Sequence, residues 1–361
     1  MKKRKIGFVS FIIALWLCAL WYSVLRTDSK DLMWIYNWFL DITLSIDDEI
    51  RDNSVRCWAF QVAWNDFVED VNVSTQSPQV FNWLSKRGFD LDQMAQGNTY
   101  YNKFWLFTLD LKSEIERWVF DKFKEWANPK FISDWSIIPQ SENYYEWKKE
   151  KKYALYSKFN KIINLKNTFE KLEDWNFADV YDDVKYFGIN CNSNKKYDTV
   201  KILYYISDMD FAVSIKTWWW DDIILARWTK WKNFMMIYNL ILSKERSYAN
   251  SHKFTKYDCL KIPEINLKFE KEIYKLKNQK SSDDENEIYR IAKAIQDLWI
   301  KLDNPSWTKV NKTLTDSLSN IVWEKYHYLY FDKPFTIFIK EYNKDLPYFA
   351  AQISDIKLFQ K

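Results

Sequence analysis

The sequence YFDKPFTIFI at residues 330–339, followed by LPYFAAQI at residues 346–353, contains two of the clearest apolar runs of this chain. Both runs are rich in aromatic and β-branched residues, which favour strands. The segment EYNKD at residues 341–345 lies between them and is polar, as is typical of a turn. The pattern predicts two strands, at 335–339 and 348–353, joined by a short polar connection.

Upstream of this pair, the chain changes from helical to strand-like patterns at about residue 153. Residues 53–70 place their apolar positions at helical spacing, with Asn53 or Ser54 as the cap, and residues 79–127 are predicted to be mostly helical. Further strands are predicted at 153–159, 199–206, 211–216, 223–226 and 260–269, and a helix at 233–242, while residues 291–302 form an apolar run. Helices mainly N-terminal and strands mainly C-terminal indicate an α+β fold in a single domain over residues 31–361.

The N-terminus carries a basic cluster followed by an apolar segment. Residues 2–5 are KKRK, and residues 6–25 contain no charged side chain. A helix of about 20 such residues is just long enough to cross the hydrocarbon core of a bilayer. The basic flank is expected to stay in the cytoplasm. Residues 1–30 are therefore predicted to be a signal peptide or a signal anchor, with residues 31–361 outside the cytoplasmic membrane.

Charge and motif content disfavour several classes of function. The chain has 361 residues, with 53 Lys and Arg against 49 Asp and Glu, and the counts are equal once residues 2–5 are set aside. A neutral body disfavours nucleic-acid binding, because phosphate contacts need a basic excess. The only two histidines, His252 and His327, lie far apart, and no P-loop, GxSxG or HExxH motif is present. No enzymatic activity, metal site or cofactor is therefore predicted.

Glycine is unusually rare and tryptophan unusually common, with 4 Gly against 21 Trp. Glycine normally makes up about 7% of a protein. Residues 218–220 are WWW and stand before Asp221 and Asp222 between two apolar runs, where a glycine turn would be natural. We hypothesise an alternative genetic code in which many of these Trp codons are read as Gly. The other interpretation is a protein that is truly rich in tryptophan.

The four cysteines are widely spaced and form no C-x-x-C motif. Cys18 lies in the apolar N-terminal segment, which leaves Cys57, Cys191 and Cys259 in the exported part. This spacing favours buried free thiols over a disulfide framework, although one pair among the three stays open.

Two acidic pairs lie beside predicted turns. They are Asp208 with Asp210 and Asp221 with Asp222. We expect these carboxylates to be solvated turn residues rather than metal ligands.

The order of the C-terminal segments resembles that of the serpin superfamily, mainly over residues 150–361. Residues 330–339 are similar to the serpin segment that follows the reactive loop, in which Pro334 and Phe335 precede a buried strand, and residues 346–353 resemble the last serpin strand. Residues 291–303 resemble the strand that feeds the reactive loop, and 260–269 the strand with an Ile-Pro pair. The resemblance implies a single serpin-like domain with its reactive-loop equivalent at about 305–330. The serine-containing shutter segment of the family has no clear counterpart.

The resemblance also implies a hinge at the start of this loop. In serpins the protease cleaves the loop, which then inserts as a new central strand. The hinge would comprise Trp307, Thr308, Lys309, Val310 and Lys312, and Trp307 as a recoded glycine would restore the usual Gly-Thr pair. Alternation from Thr308 would bury Lys312, and an unpaired buried ammonium group is costly. This hinge therefore disfavours insertion.

By the spacing of the family, the bond that a protease would cut lies near Asn320, Ile321 and Val322. The implied partners are a serine or cysteine protease, with elastase-like or chymotrypsin-like specificity favoured, and the membrane at the N-terminal helix. Two functions stay open. One is an exported protease inhibitor that acts through an exposed loop. The other is a non-inhibitory binding or structural module of the cell envelope, with a serpin-like or an unrelated α+β fold.

Overall fold

The computed structural model describes most of the chain beyond residue 38. The described residues are 39–71, 99–106, 111–124, 150–166, 169–191, 193, 197–218, 221–227, 232–277, 280–282, 288–302 and 326–360. The chain divides into residues 1–41 and 42–361, and the second unit is described below. Within the described ranges, no helix combines the length and apolar character needed to cross a membrane. The predicted signal segment, residues 1–30, lies outside them.

The described residues form a mixed α+β fold that is rich in strands. The helices are α1 (Ala59–Val71), α2 (Leu111–Phe123) and α3 (Phe234–Ser247), and a 3-10 helix spans Ile356–Phe359. The strands are β1 (Asp41–Ile42), β2 (Ser54–Cys57), β3 (Tyr100–Leu106), β4 (Glu150–Ile163), β5 (Glu170–Lys171), β6 (Trp175–Phe177), β7 (Tyr181–Val184), β8 (Tyr186–Ile189), β9 (Val200–Ser207), β10 (Asp210–Lys216), β11 (Asp221–Arg227), β12 (Asp258–Pro263), β13 (Ile265–Glu272), β14 (Lys280–Ser282), β15 (Ile288–Leu302), β16 (His327–Tyr330), β17 (Phe335–Glu341) and β18 (Phe349–Ile353).

Most strands predicted in the second half are confirmed, but the single strand predicted at 260–269 is divided into β12 and β13, which belong to different sheets. Two predictions in the first half are wrong. The helix predicted from residue 53 begins only at Ala59, because residues 54–57 form β2 and pair with β18 near the C-terminus. Residues 100–106, predicted to be helical, form β3 on the edge of β4. In both cases pairing with a distant strand outweighs the local helical pattern. Of the range 79–127, only 99–106 and 111–124 are described, and the second part contains α2.

An antiparallel sheet has the order β2-β18-β17-β11-β10-β9 within residues 42–361. Helix α3 packs on it through Phe234, Ile237 and Tyr238, which belong to one buried cluster with Phe338. The helix starts after Asn233, whose side chain accepts a hydrogen bond from the backbone N–H of Met236 at 2.8 Å.

A second sheet has the order β13-β15-β4-β3, with β14 paired to β15. Side chains alternate between its two faces, and each face buries a different helix. On one face, Leu155 and Ala294 share a buried cluster with Phe60 and Trp64 of α1. On the other, Tyr156, Ala154 and Ile295 pack with Ile115 and Val119 of α2.

A third sheet, β16-β12-β8-β5, is cross-linked by a disulfide. Cys191 and Cys259 are bonded over a separation of 68 residues, while Cys57 is free and buried. The sequence-based preference for free thiols at all three cysteines is therefore wrong for Cys191 and Cys259, because the fold places β12 next to the end of β8. Gly188 allows that approach, since an added Cβ would lie 1.9 Å from the carbonyl oxygen of Leu260.

Candidate functional site

The strands on either side of the predicted reactive loop, β15 and β16, belong to different sheets. Strand β15 ends at Leu302, and the described chain resumes at Tyr326, directly before β16. The loop prediction, 305–330, is too long at its end. Residues 327–330 form β16, which pairs in parallel with β12 and places His327 Nδ1 2.7 Å from Asp258 Oδ1. The intervening segment, 303–325, lies outside the described residues, as do all the proposed hinge and scissile residues: Trp307, Thr308, Lys309, Val310, Lys312, Asn320, Ile321 and Val322.

The strand that leads into segment 303–325 is one half of a long parallel pair. Strands β4 and β15 run in parallel register from Ile288 opposite Glu150 to Leu302 opposite Ile163, with one irregularity between Ile291 and Lys293. We call the contact line between β4 and β15 the seam. A chain that turned back after Leu302 would run antiparallel to both strands. The seam is therefore the place in this sheet where the following segment could enter as a strand.

A buried ion pair crosses the middle of the seam on the face of α2. Lys158 of β4 and Asp297 of β15 are directly opposite in register, and Lys158 Nζ lies 2.6 Å from Asp297 Oδ2. Their side chains are only 5% and 7% exposed, respectively. The hydroxyl of Tyr156 also donates a hydrogen bond to Asp297 Oδ2, at 3.2 Å. The direct contact between these two charged groups, both removed from water, thus depends on β4 and β15 being neighbours.

A second carboxyl group extends this cluster to the third strand. Glu270 of β13 is opposite Asp297 and is buried. The pKa of Glu270 is raised to about 8, mainly by burial and also by Asp297, while Lys158 and Lys293 act in the opposite direction. Glu270 is therefore mostly protonated at neutral pH. Its neutral form avoids adding an uncompensated negative charge beside the Lys158–Asp297 pair.

The face of α1 carries a neutral polar pair across the same seam. Ser157 of β4 and Gln296 of β15 are opposite in register, and both are fully buried. Burial raises the pKa of the neighbouring Cys57 thiol to about 12, so the thiol stays protonated. Sequence reasoning missed this polar pair. The signal was Ser157, which shares the inward alternation of Leu155 and Phe159.

The other candidate residues have structural roles in the described part of the chain. Asp221, expected to be solvated, is buried and forms an ion pair with Lys161 at 2.7 Å, which links β11 to β4. Asp210 is paired with Lys244 at 2.7 Å. His252 Nδ1 lies 2.8 Å from the carbonyl oxygen of Ile202. Among the described residues, no group of three His, Cys, Asp or Glu side chains is arranged to hold a metal ion.

The architecture is similar to that of serpins. No protein-family model matches the chain, and no curated protein has a significantly similar sequence. Among solved structures, SRPN18 of Anopheles gambiae matches at 10% identity and a TM-score of 0.53, over 86% of this chain and 93% of that one. A structure described as a tumour suppressing serpin matches at 9% identity and a TM-score of 0.53, over 84% and 92%.

A third similar structure is Serpin48, described as a highly specific serpin of the insect Tenebrio molitor. It matches at 11% identity and a TM-score of 0.50, over 85% of this chain and 92% of that chain. At identities this low the likeness concerns the fold, and it covers 84% to 86% of this chain in the three structures. The chain therefore has a serpin-like fold.

Proposed function

We propose that this chain is an exported serpin-like protein that presents segment 303–325 to a serine or cysteine protease as a site of attack. The seam is the observation that carries the proposal. The two strands that would have to separate to admit a new strand are parallel neighbours, and one of them ends at Leu302, directly before that segment. A cleaved segment that remained attached to Leu302 would therefore be positioned to turn back into the seam.

The strands that follow the segment support a protein that survives this cleavage. Strand β17 lies between β11 and β18, and β18 in turn pairs with β2. A C-terminal fragment starting after residue 325 would thus remain hydrogen-bonded to β11 through β17 and to β2 through β18. Its core residues Phe335, Phe338 and Ile339 are fully buried. The two fragments are expected to stay associated without denaturant.

Buried charge favours a second candidate function, a non-inhibitory binding module of the cell envelope. Insertion would separate Lys158 from Asp297, and each would then be buried without the other. By the alternation predicted from the sequence, Lys312 would enter the interior as well. The second candidate uses the same segment for binding and leaves the seam closed.

The disulfide supports the export part of the proposal. Disulfides persist in oxidising compartments and are rare in the cytosol, and Cys191 is bonded to Cys259 in the third sheet. The sequence prediction of a signal peptide or anchor agrees with this chemistry. Protease accessibility of residues 31–361 on intact cells tests export, and full protection of the domain until lysis would contradict it.

Limited proteolysis with elastase and with chymotrypsin tests the main proposal. We expect the first cut within 303–325, with both fragments migrating together on a native gel and separating on a denaturing gel. A first cut elsewhere, while 303–325 stays intact, would contradict the proposal. Each protease treated beforehand with an active-site inhibitor is the control. An SDS-stable complex with the active protease would rank trapping inhibition first, whereas clean cleavage without a complex would rank the binding module first.

A further inference from the structure

The seam holds a charged contact at a position where a sheet interior is normally apolar. Lys158 and Asp297 lie well inside β4 and β15, away from the strand ends, and both are buried. The aromatic ring of Phe123 of α2 lies 5.4 Å from Lys158 Nζ and covers the pair on that side. Water is therefore a poor substitute partner for either charge in this place.

The geometry of strand insertion determines what happens to this pair. Adjacent strands lie about 4.8 Å apart, so a strand admitted into the seam would move β4 and β15 from one spacing to two. The inserted strand and its side chains on this face would then stand between Lys158 and Asp297, so their present direct contact of 2.6 Å would be lost. The hydrogen bond from Tyr156 of β4 to Asp297 would be broken by the same movement.

We propose that the ion pair Lys158–Asp297, supported by Tyr156, is a clasp that keeps the seam closed and sets the rate at which it admits a strand. The inference rests on the proposed function, because it concerns the regulation of the same seam. Removal of one charge would leave the other buried alone, so a single variant would confuse weakening of the clasp with general destabilisation. Replacement of both partners by apolar side chains of similar size removes the clasp while the seam stays packed.

The chain offers a matched control on the same strand. Lys161 of β4 and Asp221 of β11 form a second ion pair of low exposure, at 2.7 Å, which joins β4 to the other large sheet and does not cross the seam. The seam variant is Lys158→Met/Asp297→Leu, and the control variant is Lys161→Met/Asp221→Leu. Both remove one buried ion pair from β4, and they differ in whether that pair spans the seam.

The test measures uptake of a strand supplied as a separate peptide. The probe is a synthetic peptide with the sequence of residues 304–316 and alanine at position 312, and a scrambled peptide shows non-specific binding. The full chain is incubated with each peptide, and stable complexes are followed over time by native mass spectrometry. We expect the seam variant to take up the peptide at least tenfold faster than the wild type, and the control variant to stay within about twofold.

Each other outcome has a defined meaning. If seam and control variants take up the peptide at the same rate, the clasp is refuted while the strand-accepting seam stands. If no protein takes up the peptide, both the clasp and the insertion part of the proposed function are refuted.

If the seam variant does not fold, Tyr156→Phe replaces it, with Tyr101→Phe of β3 as its control. Tyr156→Phe should then be about twofold to threefold faster than its control. Equal rates would refute the clasp.

Discussion

The two large sheets of this molecule place their buried charges differently. In the antiparallel sheet, β11 has buried Asp221 and Arg227 at its two ends and buries Ile223, Leu225 and Ala226 between them. In the seam sheet, Lys158 and Asp297 lie well inside β4 and β15. Charge at the strand ends leaves the apolar middle of a sheet intact. Charge in the middle makes the closure of the sheet depend on a specific partner.

The largest expected effect is a loss of stability from a substitution in the antiparallel sheet. Phe338 of β17 is fully buried, with its ring centroid 6.1 Å from that of Phe234 and 5.4 Å from that of Tyr238. Phe338→Ala should lower the free energy of unfolding by about 4 kcal/mol, through lost burial and a cavity between the sheet and α3. Urea unfolding measures this loss, with the exposed Met236→Ala on α3 as the control. A loss under about 1 kcal/mol would show that Phe338 is not a central part of the core between this sheet and α3.

The next effect is the pH dependence of the seam sheet. The folded pKa of Glu270 is raised to about 8 from 4.5, so folding favours its protonated form. The associated stability is fully present below the unfolded pKa and is lost as the pH rises through about 8. Between pH 5 and pH 9, the wild type should lose roughly 4 kcal/mol relative to Glu270→Gln, which stays neutral throughout.

Urea unfolding of the two proteins at pH 5, 7 and 9 measures this difference. Parallel pH profiles of wild type and Glu270→Gln would show that Glu270 ionises equally in the folded and unfolded states. The comparison between the two sheets would then rest on the ion pair Lys158–Asp297 alone.

A smaller effect concerns how α3 is held on the antiparallel sheet. Asn233→Ala removes the side-chain acceptor for the backbone N–H of Met236 and should lower the free energy of unfolding by about 1 kcal/mol. Asn233→Asp keeps an acceptor and adds a favourable charge at the helix N-terminus, so it should restore the wild-type stability. Thermal or urea unfolding distinguishes them, and equal losses in both variants would contradict the capping role.

The smallest effect is expected from cleavage of segment 303–325 in the wild type. Because Lys312 and the clasp both oppose insertion, the melting temperature of the nicked protein should stay close to that of the intact protein. Lys312→Ala should raise the melting temperature of the nicked form more than Lys309→Ala, whose position faces outward by the predicted alternation. A large rise in the nicked wild type would instead show that the seam accepts Lys312, and would favour the inhibitor over the binding module.

The alternative genetic code stays a prediction. Among the described residues, positive φ angles occur at Lys124, Ala178, Asp179 and Asn343, and none of these is a tryptophan. The predicted turn at 218–220 lies between β10 and β11, which pair as an antiparallel hairpin. Peptide mass spectrometry of the native protein decides the matter, and tryptophan at these three positions would refute recoding.

Local patterns identified several of the longer strands, whereas β5 to β8, β14 and β16 were not predicted. Alternation at 211–216 and the apolar run at 223–226 correspond to β10 and β11, and the runs at the C-terminus correspond to β17 and β18. The same reasoning failed at β2 and β3, since each has its pairing partner elsewhere in the chain: β18 for the first and β4 for the second. Hydrophobic periodicity describes which face of a segment is buried, but it does not identify the neighbour that buries it.

By itself, the sequence determined the α+β class, the neutral charge of the body, the positions of several strands in the second half and the resemblance to serpins. Only the tertiary structure decided that β4 lies in parallel beside β15, that Cys191 meets Cys259, and that Lys158 faces Asp297. Cys191 and Cys259 are 68 positions apart in the chain, and Lys158 and Asp297 are 139 positions apart. The physical origin of these contacts is the same, because a side chain buried within a sheet interacts with whatever the neighbouring strand places opposite it, and strand order is a property of the whole packed chain.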